Sequence, residues 1–148
     1  MLPTIERLRV IARRCVTGEP LGSDLGQWLG DSLQAFLSHR QHSLDAALGL
    51  RWAKGGVPWW LEEAIRERDR ALRELASRFF DGLSTAAQAK RIRMLSLRYG
   101  ASAWRQERNC AKPPSEIGGT PKEWLWRAFK SGAAMPLGER QLRNILAL

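Results

Sequence analysis

The chain has 148 residues with 24 Lys and Arg against 15 Asp and Glu, a net charge of +9. This length suits one domain able to bury a stable core without metals or disulfides, and a hydrophobic content of 44% excludes a wholly disordered chain. No apolar run approaches the roughly eighteen residues of a membrane span, and no apolar stretch follows the first basic residues as in a secretory leader, so no membrane partner and a cytoplasmic location are expected.

Helices are predicted throughout. Ile5, Leu8, Ile11 and Cys15 recur at three- and four-residue steps, which predicts a helix over 3–15 that stops at Thr17-Gly18-Glu19-Pro20. Ser23 or Asp24 can cap a second helix reaching about Arg40, with Leu25, Trp28, Leu29, Leu33, Phe36 and Leu37 as its core stripe. Gly26 and Gly30 inside that helix point to close packing against a neighbour. Ser43 can cap a short helix over 44–50, and Ala53-Lys54-Gly55-Gly56-Val57 reads as a loop.

The longest element spans 58–80, with Pro58 in its first turn and Leu61, Ile65, Leu72, Leu75 and Phe79 as its seam. Glu62 with Arg66, Asp69 with Arg73, Arg70 with Glu74 and Glu74 with Arg78 stand four apart, so the helix largely neutralises its own charge. Arg68 and Asp69 interrupt the seam and need to reach out or find partners.

Thr85 with Gln88 suggests a capping box for a helix over 85–107, with Ala89, Ile92, Leu95, Tyr99 and Ala103 inward and a break at Gly100. The stretch 90–108 is the densest in uncompensated basic residues. A loop over 109–119 follows. Thr120-Pro121-Lys122-Glu123 then starts a helix carrying Trp124, Leu125, Trp126, Ala128 and Phe129. A last helix from Gly138 or Glu139 points Leu142, Ile145 and Leu146 inward. Strict alternation is absent and β-branched residues are few. The expected fold is a single all-α domain over 1–148, a compact orthogonal or irregular bundle of six to seven helices without a sheet.

Chemistry-bearing constellations are sparse. Cys15 and Cys110 lack ligand-like spacing and read as reduced thiols, with Cys15 on a helix face. His39 and His42 stand three apart without a third ligand, with Asp45 nearest, and Glu62-Glu63 diverge on a helix. No catalytic residue, metal site or cofactor is therefore assigned, and a non-enzymatic protein is expected.

Nineteen of the 24 basic residues are arginine, whose guanidinium suits bidentate contact with phosphate or carboxylate. The excess is +2 over 1–60, +4 over 61–110 and +3 over 111–148. The leading functional reading is nucleic-acid binding. Arg91, Arg98 and Arg105, seven apart, form a phosphate-tracking row. The segment 120–148, a helix-turn-helix-like subdomain after the loop, offers Arg140, Arg143 and Asn144 to base edges or phosphates. The alternative is a protein-interaction or scaffold module, possibly self-associating. Trp59 and Trp60 diverge on a helix, as do Trp124 and Trp126, so one ring of each pair is expected to be partly exposed as a binding anchor.

Overall fold

The computed structural model describes residues 3–52 and 54–148, so Ala53 of the anticipated loop lies outside them. Among the described residues there are eight α-helices and no strand. They are α1 (Thr4–Thr17), α2 (Ser23–Leu37), α3 (Leu44–Ala47), α4 (Trp59–Phe79), α5 (Thr85–Ala101), α6 (Trp104–Glu107), α7 (Pro121–Lys130) and α8 (Glu139–Leu146), with a 3-10 turn at Ser115–Ile117. None is long and apolar enough to cross a membrane. The fold is all-helical, as the periodicity predicts. The chain divides into two compact units, Met1–Trp59 and Trp60–Leu148, and the loop 109–119 lies inside the second.

In the first unit, Gly18 takes φ 75° and its N–H closes α1 onto the Arg14 carbonyl, the left-handed stop that the Thr17-Gly18 pair foreshadows. Arg14 then holds the following turn by donating to the carbonyls of Pro20 and Leu21, at 3.3 and 2.6 Å. The α2 cap is Gly22 rather than Ser23 or Asp24, because φ 81° there admits only glycine without strain. Arg7 stacks on Trp28, 5.2 Å from its ring centre.

The expected α2 stripe is only partly used. Leu25, Trp28 and Leu29 are half-buried, whereas Leu33, Phe36 and Leu37 are exposed. Gly26 and Gly30 face open space, so the neighbour expected to pack closely on them is not there. Cys15 is likewise exposed at the far end of α1. Ser43 caps α3 through the Ala46 N–H, and α3 ends at Ala47, three residues sooner than its pattern suggests.

The second unit holds the main core. Leu72, Leu75 and Ala76 of α4 pack with Ala89, Ile92 and Tyr99 of α5, Leu125, Trp126 and Ala128 of α7, and Leu142 and Ile145 of α8. Leu61 is exposed, so the α4 seam begins one turn later than expected. Small Ala89 and Ser96 on the buried side of α5 allow close backbone approach, and α8 is its close neighbour. Gly100 stays helical because Phe129 crowds it: a Cβ there would stand 3.1 Å from two ring carbons. The break falls instead at Ser102, with φ −126° and ψ −97°, and it separates α5 from the short α6. Ser84 caps α5 by accepting the Ala87 N–H, and Gln88 donates to the Phe80 carbonyl instead of closing a box with Thr85.

Arginines tie these helices together. Arg68 is buried at 7% exposure, with Nε and Nη2 on Asp69 Oδ1 and Nη1 on the Ala134 carbonyl at 2.6 Å. Asp69 is thereby taken by Arg68, and Arg73 donates to the Ile145 carbonyl of α8 at 2.9 Å. Of the four anticipated i,i+4 pairs on α4, Glu62–Arg66 and Glu74–Arg78 form. The Tyr99 hydroxyl donates to Glu107 Oε2 at 2.6 Å, and burial, reinforced by that bond, pushes the phenol well above its ordinary value. Thr120 does not cap α7 with its side chain. Glu123 instead accepts the Gly119 N–H at 3.0 Å and pairs with Arg127.

Two outcomes follow for stability. Arg68→Ala leaves Asp69 and the Ala134 carbonyl without their donor and should cost about 3 kcal/mol in urea unfolding. Arg66→Ala, on the exposed pair, should stay within about 0.5 kcal/mol. Glu123 has its carboxyl held below the usual range, first by the Gly119 N–H and then by Arg127. Its contribution is therefore present above the unfolded carboxylate value and lost as pH falls through the lower folded one. Glu123→Gln should lower the urea midpoint at neutral pH, and the gap from the parent protein should close at the acid end.

Candidate interaction surface on the fifth helix

The residues named from sequence fall into distinct settings. Arg91 and Arg98 are exposed and share one side of α5. Arg105 is exposed on α6, beyond the break at Ser102, so the anticipated straight row of three does not continue through it. Arg140, Arg143 and Asn144 are exposed on α8. The helix-turn-helix layout gains no support from the packing. The eight residues 131–138 separate α7 from α8, where such a motif uses a turn of about three or four. The close neighbour of α8 is α5, and Arg93 fastens the connection by donating to the Leu137 carbonyl.

The tryptophans diverge as their spacing requires. Trp60 is 53% exposed and Trp59 half-buried. Trp126 is buried, with Nε1 donating to the Glu107 carbonyl at 3.1 Å. Trp124 is half-buried, with the Arg78 and Arg127 guanidinium carbons 4.7 and 5.3 Å from its ring centre. A cleft of about 580 Å³ borders Trp124, Arg78, Arg127 and Glu74. Both of those arginines are already paired, Arg78 with Glu74 and Arg127 with Glu123. The indole beside the cleft is thus already in contact with two paired cations.

A different surface stands out. Ala87, Lys90, Met94, Leu97 and Ala101 step by three and four along one side of α5, and Leu83 lies just before its cap. Leu83 is 42% exposed, Met94 55% and Leu97 56%, while Ala89, Ile92, Ser96 and Tyr99 on the other side are buried. A shallow cleft of about 380 Å³ gathers Leu83, Ala87, Lys90, Arg91 and Met94. α5 therefore has two apolar sides, one in the core and one in solvent. Its bases, Lys90, Arg91, Arg93 and Arg98, are matched by no acidic residue within the helix. Among the described residues, Lys90, Arg91 and Arg98 have no carboxylate partner.

The sequence carries this stripe openly in its 4–3 spacing. The inward set Ala89, Ile92, Leu95 and Tyr99 already satisfies one apolar side, so periodicity alone gives the second set no structural role. Comparisons with protein families, curated proteins and solved structures find no match to this chain. Among the described residues no cluster of three or more His, Cys, Asp or Glu could hold a metal. His39 and His42 are both exposed, His39 with φ 60° just past the end of α2.

Since the exposed Arg91 and Arg98 side chains form no ion pair among the described residues, their double replacement by alanine should change stability to urea by less than about 0.5 kcal/mol. Arg73→Ala, which frees the Ile145 carbonyl of α8, should lose about 1 to 2 kcal/mol in the same measurement.

Proposed function

We propose that the second unit is a non-enzymatic protein-interaction module that presents the outward side of α5 to a polypeptide partner. The observation that carries this reading is the exposure of Met94 and Leu97 opposite the core side of α5, with Leu83 exposed just before the helix. One apolar side suffices to hold a helix in its fold, and a second one in solvent marks a surface for association. Exposed Trp60 adds a residue type that commonly anchors interfaces. The non-enzymatic part is supported by composition: both histidines, His39 and His42, belong to the first unit, and Cys110 is the one cysteine of the second.

Nucleic-acid binding is the second reading. It is favoured by exposed, uncompensated Lys90, Arg91 and Arg98, with Arg140, Arg143 and Asn144 exposed on α8. It ranks lower because phosphates drawn to these bases would lie over Leu83, Met94 and Leu97, which gain nothing from them.

The test is the double variant Met94→Asp with Leu97→Asp. Both sites are exposed, so helicity and unfolding midpoint should be retained. Proteins co-purifying with the parent from its own cells should fall by at least about tenfold. An unchanged set of partners would overturn the reading. So would recovery of nucleic acid alone, lost with Arg91→Ala and Arg98→Ala but kept with the aspartate variant.

A further inference from the structure

We propose that the outward side of α5 receives an acidic amphipathic helix of a partner protein; the inference rests on the interaction-module reading above. The shape of the surface is the first reason. α5 has 17 residues, a ridge of about 25 Å, and Ala87, Lys90, Met94, Leu97 and Ala101 follow one another along it at three- and four-residue steps. Large Met94 and Leu97 stand between small Ala87 and Ala101, a raised middle with a dip at each end against which the side chains of a second helix can interlock. A segment adding as a β-strand would need an open sheet edge, which an all-helical unit does not offer.

Charge decides the chemistry of the occupant. Arg91 and Arg98 stand seven apart along one margin of the stripe, and Lys90 lies near its axis. In a helix pair such marginal positions face those of the partner, so carboxylates repeated every seven residues would meet both arginines in one register. Because none of the three bases has a carboxylate partner among the described residues, the partner displaces no internal ion pair. The net charge of +9 adds a long-range pull on an acidic segment.

The same features count against other occupants. A second copy laid α5 on α5 would set base against base with no carboxylate from either helix. A lipid surface is served by a broad apolar side with its charges beyond the margin, whereas Lys90 sits inside this narrow stripe.

The probe is a labelled helical peptide with leucines at four- and three-residue steps and glutamates seven apart on one margin. Its counterpart carries lysine at each glutamate position. Fluorescence anisotropy should show the acidic peptide binding at least about tenfold more tightly than the basic one, with an affinity that falls as salt is raised. Met94→Asp with Leu97→Asp should abolish binding. Arg91→Glu with Arg98→Glu should reverse the preference towards the basic peptide, an outcome that misfolding cannot produce. Equal binding of the two peptides, binding of neither, or a preference for duplex oligonucleotide or anionic vesicles would overturn the proposal. If the acidic peptide fails while the aspartate variant still loses its co-purifying proteins, the acidic helix falls and the interaction module stands.

Discussion

Close approach along the buried side of α5 is the constraint on which the second unit depends. Ala89 and Ser96 keep that side low, and α8 settles against the helix with Leu142 and Ile145 buried. Gly100 continues the same logic one turn later, where the Phe129 ring occupies the space a side chain would fill. Tyr99 stands beside it and locks α5 to α6 through Glu107, whose backbone carbonyl also receives the Trp126 indole. The inner side of one helix thereby positions α6, α7 and α8. Met94 and Leu97 on its outer side stay exposed and take no part in that arrangement.

The arginines divide by what they touch. Arg14, Arg68, Arg73 and Arg93 donate to backbone carbonyls at turns or helix ends, where orphaned acceptors need partners. Two of them, Arg68 and Arg93, hold the connection 131–138 from α4 and from α5. Arg7, Arg78 and Arg127 stack on indoles. A guanidinium suits both tasks because it is planar, forked and weakly hydrated. Much of the arginine enrichment is therefore architectural, and net charge taken from composition overstates how much of it faces a partner.

This division explains what was legible in the sequence. The helices were, because Leu72, Leu75, Ile92, Leu142 and Ile145 keep a helical period that burial enforces. The divergence of Trp59 from Trp60, and of Trp124 from Trp126, was legible from the angle between successive helical residues. Local competition was harder to read. Asp69 had two arginines within reach, and only coordinates show Arg68 taking it while Arg73 turns to α8. The break at Ser102 rather than Gly100 was hidden for a similar reason, since helix propensity marks glycine and the Phe129 ring overrides it. The outward stripe was present in the letters, but whether α5 would be covered on one side or two is a property of packing. The α2 residues Leu33, Phe36 and Leu37 show the opposite error: a clean apolar stripe of which the distal half stays in solvent.

An exposed apolar stripe on a rigid helix invites indiscriminate association, and the flanking charges bear on that hazard. Leu83, Met94 and Leu97 alone would pair with any apolar ridge, including the same ridge on a neighbouring copy. Lys90, Arg91 and Arg98 make that homotypic pairing repulsive, because two like rows would meet at short range as water is expelled. The cost is small, since exposed arginines need no internal partner and disturb no core residue. The absence of any carboxylate in α5 then becomes intelligible: one acidic residue on the margin would neutralise an arginine and weaken the discrimination between ridges of opposite charge. In the proposed interaction apolar area would supply the attraction and uncompensated base would select what approaches, while the buried side of the same helix holds both in register.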